Sequence, residues 1–397
     1  MYAVEKAKKF ILGRRGQMRR IREACKGVEE ILWFHTASYG EFEEIRPVVE
    51  QVRGRYPQKK ILLTFFSPSG YEALKDTPLA DWVFYLPLDT PGNARRFVKA
   101  VHPEKAIFSM GEYWLCFLAA LRRRKVDTYV ISARIPADTP YLKWYARPYR
   151  KALRTTYRAI MVQNELSASV MKRIGVPNVI RTGNPRIDRV CDLAATPWKD
   201  EIVERWAQGR KVFVAGSTAP GRDDEMVVSL ANAHPADKFL LVPHEPAPEQ
   251  IRTIRSLLRV PCVQYTQVEA GQVSEEALQA ASVLIVDKVG TLSKLYRYGF
   301  AAYVGAGFTT DEPHSVIEPA AYGLPVATGP RIKHNPHCVI LVERGAGFAF
   351  ATEAEIGAWY DRLITDPAYL KQLSDLARSY CEENRGATQA TLDALFA

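Results

Sequence analysis

Residues Ile31-Leu32-Trp33-Phe34-His35-Thr36-Ala37-Ser38-Tyr39-Gly40-Glu41 join an apolar, strand-like run to a helix-like stretch that extends to about Gly54. In open α/β sheets, the edge at which strands end and helices begin is where ligands bind. A carboxylate at that edge, here Glu41, can take a proton from a substrate hydroxyl. Ser-x-x-Glu is also a capping box, in which Ser38 and Glu41 satisfy free amides at a helix start. The tetrapeptide alone leaves both interpretations open.

Short apolar runs alternate with helix-length segments along the whole chain. The strand-like runs are 31–36, 60–66, 82–86, 106–109, 128–132, 159–163, 211–216, 238–243, 261–265, 283–287, 301–305 and 324–328. This alternation predicts βαβ units and parallel sheets. The polar stretch 191–210 is predicted as the domain boundary, so we expect Rossmann-like, doubly wound domains over 1–195 and 205–397 with a cleft between them. The packing of the terminal helical segment, about 354–397, is left open.

Composition excludes several classes of protein. The 397 residues are 47% hydrophobic and 25% charged, an ordinary balance for globular domains. Six cysteines form no C-x-x-C pair, which argues against a disulfide framework or a zinc site and fits a reducing cytoplasm. His334 and His337 are three residues apart without a nearby carboxylate, and we predict no metal site. The sequence shows no signal-peptide pattern and no apolar run of membrane-spanning length.

Positive charge is concentrated in the first half of a chain whose formal net charge is +10. Basic clusters lie at residues 1–27, 122–125 and 143–158. Such an excess attracts nucleic acid, acidic lipid or phosphorylated substrates. Aromatic residues interleave with the third cluster, as at a membrane interface, although a solvated basic helix face has the same pattern. We find no nucleic-acid-binding motif and expect no nucleic-acid partner.

Glycine, hydroxyl and acidic residues follow the strand-like runs of the second half. Glycine permits close backbone approach, and hydroxyls at a helix start can bind phosphate. Ser315 and Glu318 form a second capping-box pattern, in which Glu318 could accept hydrogen bonds from ribose hydroxyls. Each loop alone is compatible with a plain strand–turn–helix connection. Together they suggest a nucleotide site, although no G-x-G-x-x-G follows the first strand and no Walker loop is present.

Seven ordered blocks of the sequence resemble the 3-deoxy-D-manno-oct-2-ulosonic acid (Kdo) transferases of lipopolysaccharide assembly. The resemblance extends from about Lys8 over nearly the whole chain. The blocks are residues 33–41, 62–71, 85–91, 182–184, 187–189, 292–296 and 317–320. Several ordered blocks at matching separations are far more specific than any one motif.

The resemblance implies an inverting GT-B glycosyltransferase that moves Kdo from CMP-Kdo to a lipid A precursor, without a metal or other cofactor. It implies that Glu41, the glutamate of the Ser-x-Gly-Glu motif, is the catalytic base and that Glu112 is a second functional glutamate. The expected donor-binding residues in the second domain are Gly216, Ser217, His244, Glu245, Gly307, Ser315 and Glu318. The expected acceptor-binding residues in the first domain are Ser38, Gly40, Ser67, Ser69 and Arg134.

The expected location is the cytoplasmic face of the bacterial inner membrane, with the protein peripheral or anchored at an anionic surface. The basic clusters agree with this expectation, because they lie in the half assigned to an acceptor with anionic phosphates. The family's usual N-terminal membrane-anchor segment is not recognisable; only the basic residues that follow it are.

The chain departs from the family pattern around the expected site. Met110-Gly111 precede Glu112 where many relatives have Lys-Tyr, and residues 135–138 replace a Phe-Arg and a Gln. His314-Ser315 and Pro243-His244 stand where relatives have His-Asn and Pro-Arg-His. These departures leave open a related GT-B transferase with another sugar nucleotide or acceptor, and a non-catalytic membrane-surface paralogue. The retained Ser-x-Gly-Glu motif counts against the paralogue.

Overall fold

The computed structural model of the chain describes residues 2–111, 113–310 and 312–397, with side chains from residue 8 onward. The chain forms two compact units. Unit 1 comprises Met1–Arg189 and Asn384–Ala397, and unit 2 comprises Val190–Glu383. Among the described residues, no helix is both long enough and apolar enough to cross a membrane.

Unit 1 is built on a parallel sheet with strand order β3-β2-β1-β4-β5-β6-β7. Its strands are β1 Ile31–Thr36, β2 Lys60–Phe65, β3 Trp82–Tyr85, β4 Lys105–Ser109, β5 Asp127–Ala133, β6 Ala159–Val162 and β7 Val179–Arg181. The helices of this half of the chain are α1 Tyr2–Arg14, α2 Gln17–Ala24, α3 Tyr39–Arg55, α4 Pro68–Leu74, α5 Pro91–Val101, α6 Leu115–Arg123, α7 Arg147–Thr156, α8 Glu165–Ile174 and α9 Pro185–Ala195. Two 3₁₀ turns, Pro140–Leu142 and Trp144–Ala146, precede α7.

Both faces of this sheet are buried, as expected for parallel strands covered by helices. The Trp33 ring packs 4.8 Å from Phe97 and 5.2 Å from Phe108, ring centroid to ring centroid, in the core on one face. On the other face, Phe34 packs with Phe42 of α3. Alternate residues of β1 therefore enter two separate cores, which fixes the register of the strand.

Unit 2 is built on a second parallel sheet with strand order β10-β11-β9-β8-β12-β13-β14. Its strands are β8 Val212–Thr218, β9 Lys238–Pro243, β10 Cys262–Gln264, β11 Val283–Ile285, β12 Gly299–Val304, β13 Val326–Thr328 and β14 Gly347–Ala349. The helices that follow are α10 Glu201–Ala207, α11 Arg222–Ala233, α12 Pro248–Leu257, α13 Tyr265–Glu269, α14 Glu275–Ala280, α15 Leu292–Leu295, α16 Ile317–Ala321, α17 Pro336–Glu343, α18 Glu353–Thr365, α19 Pro367–Glu383 and α20 Ala387–Phe396. A 3₁₀ turn, Tyr296–Tyr298, follows α15.

Every predicted strand-like run coincides with a parallel strand, and the predicted α/β class is confirmed. The sequence patterns missed two strands, β7 and β14, which end the strand orders of their sheets. Each is three residues long and only partly buried, unlike β11 and β13, which are equally short but fully buried. Two of the three β7 residues are also exposed, so that strand lacks an apolar pattern.

The last helix belongs to unit 1, whereas the sequence-based division assigned all of residues 205–397 to the second domain. Leu392 and Leu395 of α20 enter the same core as Phe34. Phe396 stacks on Tyr56 with ring centroids 4.3 Å apart. The sequence left the packing of this helix open, because nothing in the helix itself specifies which core it completes.

The start of α20 is held by a carboxylate from a distant part of the chain. Asp188 accepts hydrogen bonds from the N–H of Gly386 at 2.7 Å and of Thr388 at 2.6 Å. A carboxylate at a helix N-terminus satisfies amides that have no partner within the helix. Asp188 lies in one of the blocks that carry the family resemblance.

We predict that Asp188→Asn loosens α20, because the amide oxygen replaces two acceptor oxygens and carries no charge. The expected loss is about 1–3 kcal/mol in the free energy of unfolding of unit 1, measured by urea titration, with faster proteolysis near residue 384. Asp76→Asn, at an exposed position, is the control. Equal cleavage rates for the two variants would contradict the assigned role.

Candidate active site

The predicted base lies where β1 and β4 end. Ser38 is the N-cap of α3, and its hydroxyl accepts from the Glu41 N–H at 3.4 Å. The Glu41 carboxylate accepts from the N–H of Ala37 at 2.8 Å and from the Ser109 hydroxyl at 3.4 Å. The Ser38 half of the predicted cap is thus present, and the same turn holds the carboxylate at the edge of the sheet. The two interpretations of Ser-x-x-Glu are compatible.

The structure brings the other predicted acceptor residues to the same edge. Ser67 caps α4, and its hydroxyl lies 3.1 Å from that of Ser69. The Ser67 N–H donates to the Ala37 carbonyl at 2.7 Å, which joins the loops after β1 and β2. A side-chain carbon at Gly40 would meet no described atom within 4 Å. Arg134 follows β5, two strands from β1 in the strand order.

Glu112 lies outside the described residues, but the side chain of Trp114, two positions later, is held by a hydrogen bond. The Trp114 indole N–H donates to Nε2 of His35 at 3.0 Å. Because an indole only donates, Nε2 carries no proton, and His35 is neutral with its proton on Nδ1. Nδ1 then donates to the Thr64 carbonyl at 3.0 Å. The role of His35 was not predicted from the sequence, because a buried histidine in an apolar run has no distinguishing pattern.

The first turns of α3 are anchored by ion pairs that the sequence analysis did not identify. Arg186 lies 3.3 Å from Glu44, and Arg189 pairs with Glu43, both across to α9. The Gln163 amide donates to Glu44 at 3.3 Å. Arg189 lies in the block 187–189 that carries part of the family resemblance. These contacts orient the helix that carries Glu41 at its first turn.

Several non-glycine residues at strand ends adopt left-handed backbone conformations. In unit 1 these are Met110 with φ 56° and Ser132 with φ 54°; in unit 2, Ser217 with φ 54° and Ala306 with φ 77°. Each costs roughly 1–3 kcal/mol and persists only where surrounding contacts impose it. These four lie at the carboxyl edges of the two sheets, and four further non-glycine residues with positive φ, Glu30, His102, Lys125 and Gln208, lie elsewhere.

The predicted donor glycines lie where loops pack against each other. A Cβ on Gly216 would lie 2.2 Å from the Tyr296 hydroxyl. A Cβ on Gly307 would lie 2.6 Å from the backbone nitrogen of Gly329. Both positions therefore require glycine for packing within unit 2. A Cβ on Gly305 would lie 2.2 Å from the carbonyl oxygen of Ser217, so these two backbone segments also pack closely.

Two predicted loops meet through their histidines. The rings of His244 and His314 are stacked, with centroids 4.0 Å apart and planes 16° from parallel. The His244 N–H donates to the Thr218 carbonyl at 3.1 Å, and the His314 N–H donates to the Gly305 carbonyl at 3.1 Å. Glu245 is exposed beside this pair. The stack brings His244 to the loop that contains Ser315.

The second predicted capping box is wrong. Helix α16 begins at Ile317 with Val316 as its N-cap, and no side chain caps it. Ser315 lies one residue too early to cap, and its buried hydroxyl has no hydrogen-bond partner among the described residues. Glu318 lies near Tyr296, whose pKa is raised well above its usual range by burial and, to a lesser extent, by the Glu318 charge.

Asp223 connects the loops after β8 and β12, and sequence reasoning missed it. The carboxylate is buried and accepts from the Ala219 N–H at 3.0 Å, the Ala306 N–H at 2.6 Å and the Tyr303 hydroxyl at 2.6 Å. It thereby holds Ala306 in its left-handed conformation. The available sequence signal is the acidic start of α11, but two of the three partners, Tyr303 and Ala306, are 80 and 83 positions away.

Asp224 is buried beside Asp223 and is held by Gln250, whose amide donates to its two oxygens at 2.9 and 3.2 Å. Burial raises the pKa of Asp224 to about 6, and the charges of Asp223 and Glu225 contribute to the increase. Among the described residues, no group of three or more His, Cys, Asp or Glu is placed to hold a metal ion.

Sequence comparison shows which known proteins this chain resembles. Residues 11–189 match the family profile of the 3-deoxy-D-manno-octulosonic-acid transferases (kdotransferases). The transferase of that name from Haemophilus influenzae is 28% identical over 373 residues, which is 92% of this chain and 86% of the relative. The chain is a homologue of the Kdo transferases. This homology agrees with the family resemblance in the sequence blocks.

Solved structures show that the fold of this Kdo transferase homologue is GT-B. The UDP-GlcNAc 2-epimerase from Neisseria meningitidis, bound to UDP-GlcNAc, matches with a TM-score of 0.64 and 16% identity, covering 92% of this chain and 99% of that one. MurG from Acinetobacter baumannii matches with a TM-score of 0.59 and 11% identity, covering 92% and 98%. At these identities the likeness concerns the fold alone.

The raised pKa of Asp224 predicts a pH dependence of stability. The folded state binds this proton more tightly than the unfolded state, so the stabilisation is present at low pH and is lost as the pH rises through about 6. Between pH 5 and pH 8, the wild-type free energy of unfolding should fall about 1 kcal/mol more than that of Asp224→Asn. Urea titration measures the difference. Glu249→Gln, exposed on α12, is the control, and parallel pH curves for wild type and Asp224→Asn would refute the assignment.

Proposed function

We propose that this protein transfers Kdo from CMP-Kdo to a hydroxyl of a lipid A precursor, with inversion at the anomeric carbon. The observation that carries the proposal is the placement of Glu41 in a chain homologous to Kdo transferases. Its carboxylate is fixed at the carboxyl edge of the unit 1 sheet. This is the edge at which α/β sheets bind ligands.

Glu41 would act as the general base. The Ala37 N–H and the Ser109 hydroxyl both bind its Oε2 and so orient the carboxylate. The start of α3 favours negative charge, which is the form that accepts a proton. Glu41 would take the proton of the acceptor hydroxyl as its oxygen attacks the anomeric carbon of Kdo and the bond to CMP breaks. Ser38, Gly40, Ser67, Ser69 and Arg134 would bind the acceptor, with Glu112 orienting substrate.

Unit 2 would bind the donor at the carboxyl edge of its own sheet. The proposed residues are Gly216, Ser217, His244, Glu245, Gly307, Ser315 and Glu318. The unpaired Ser315 hydroxyl and the exposed His244 ring are available for hydrogen bonds to the nucleotide. The first turn of α11 carries Asp223, Asp224 and Glu225, so it repels a phosphate. The leaving phosphate would therefore lie nearer to the stacked histidines, which can stabilise it without a metal.

We further propose that unit 1 works at an anionic surface, the cytoplasmic face of the bacterial inner membrane, where a lipid acceptor resides. Trp144 is 83% exposed and Tyr145 59%, and the basic residues of α7 follow them directly. Ile11 on α1 is 67% exposed. Exposed aromatic and aliphatic side chains beside positive charge are typical of proteins that lie on membranes.

Substitution of Glu41 tests the transfer. With CMP-Kdo and a tetraacylated lipid A precursor, Glu41→Gln should release CMP about 10²–10⁴-fold more slowly than wild type, because the amide cannot take a proton. Glu50→Gln, on the same helix, should keep the wild-type rate. Wild-type CMP release no faster than that of Glu41→Gln would overturn the proposal. Turnover of UDP or GDP sugars instead would support a related GT-B transferase.

Membrane attachment is tested by sedimentation with vesicles containing anionic phospholipid. The wild type should sediment with them at low salt and less at high salt, since surface charges are screened. Replacing Trp144 and Tyr145 together by serine should reduce binding at both salt concentrations. Leu257→Ser, an exposed apolar position of unit 2, should bind like the wild type. Equal binding of the wild type to zwitterionic vesicles would argue against an anionic surface.

A further inference from the structure

Helix α1 is fitted closely onto the edge of the unit 1 sheet. A Cβ on Gly13 would lie 2.2 Å from the ring of Tyr85, the last residue of β3. Glycine therefore lets the helix backbone contact that ring directly. Ile11 and Leu12, one turn or less away, are 67% and 49% exposed. The same short helix thus has one surface against the sheet and apolar side chains in solvent.

The next residue, Arg14, is bonded to the backbone at the ends of two strands. Its Nη2 donates to the Phe66 carbonyl at 2.6 Å, and its Nε donates to the Leu86 carbonyl at 3.0 Å. Phe66 directly follows β2, and Leu86 directly follows β3. Nη1 donates to the Phe10 carbonyl at 3.0 Å within the helix. A planar guanidinium can make these divergent bonds at once, which a lysine ammonium on one flexible stem does less well.

Aromatic rings surround the same guanidinium. Its carbon lies 3.8 Å from the ring centroid of Phe10, 4.7 Å from that of Tyr85 and 5.1 Å from that of Phe66. Burial lowers the pKa of Arg14 to about 10, so it still carries its charge at neutral pH. A half-buried charge that makes three hydrogen bonds and contacts three rings holds a defined position.

From Phe66 the contacts continue into the candidate site. The Phe66 ring packs on Trp114 with centroids 4.8 Å apart, and Trp114 donates to His35 of β1. Phe66 is also the residue before Ser67, whose N–H binds the Ala37 carbonyl. Arg14 therefore binds the residue that precedes the loop of Ser67 and Ser69, here called the serine loop. Through the Phe66 ring it is also connected to Trp114, in the loop that follows β4.

We infer that Arg14 is a positioning residue for the acceptor site, holding residues 66–69 and the Trp114 ring in place and making α1 part of that site. The inference rests on the proposed function, since it assigns the serine loop to acceptor binding. It accounts for a charged side chain turned inward in a region whose other basic side chains, such as Arg15, Arg19 and Arg20, are exposed. Anything that displaces α1 would then act on acceptor binding rather than on donor binding.

The test compares Arg14→Met with Arg15→Met in the full chain. Both variants lose one positive charge at adjacent positions, but only Arg14 makes the strand-end contacts. In detergent micelles of fixed composition, Arg14→Met should raise the acceptor KM at least about tenfold and leave the donor KM within about twofold. Arg14→Lys, which keeps the charge, should give an intermediate acceptor KM and serves if the methionine variant folds poorly. Equal acceptor KM values for Arg14→Met and Arg15→Met would overturn the inference.

Hydrogen exchange followed by mass spectrometry gives a readout that does not depend on turnover. Arg14→Met should increase exchange in peptides covering residues 65–74 and 110–117, with unit 2 unchanged, whereas Arg15→Met should not. Increased exchange throughout unit 1 would indicate a general structural role and reject positioning. If the wild type shows no transfer, the proposed function fails, while the exchange pattern still decides whether Arg14 holds these loops.

Discussion

Parallel pairing of the strands is the constraint on which the rest of the structure depends. Because the strands of each described sheet run in one direction, their carboxyl ends meet at one edge, and the residues after them are brought together. Glu41, Ser67 and Ser109 follow or end three different strands, yet hydrogen bonds connect their loops. In unit 2, Asp223 connects the loops after β8 and β12 in the same way. The loops thus carry the candidate catalytic and binding residues, and the sheets fix the positions from which these loops start.

The sequence predicted the strands well because each long strand is a continuous apolar run between helical segments. It drew attention to Glu41 because an acidic residue soon after such a run is conspicuous, and the catalytic role of Glu41 stays a prediction. It did not predict His35, since a histidine whose two nitrogens are satisfied inside the sheet resembles its apolar neighbours until Trp114 and Thr64 are located. The role of Asp223 was not predicted either, because Tyr303 and Ala306, whose hydrogen bonds define that role, are distant in sequence.

Backbone detail accounts for the prediction that was wrong. Ser315 and Glu318 have the spacing of a cap, but α16 starts at Ile317 and leaves the serine outside it. A pattern of four residues cannot determine where a five-residue helix begins, because so short a helix depends on its surroundings. The same loop contributes His314 to the histidine stack and leaves the Ser315 hydroxyl unpaired. Helix capping therefore does not explain the spacing of Ser315 and Glu318 in this chain.

The return of α20 to unit 1 has a consequence for how the protein is made. Unit 2 is one continuous segment and can complete its core as soon as that segment has left the ribosome, whereas unit 1 lacks Leu392 and Leu395 until α20 has been made. Until then, the apolar surface that α20 covers in the core with Phe34 is exposed. The core of unit 1 is therefore completed after that of unit 2, although most of its residues are synthesised first.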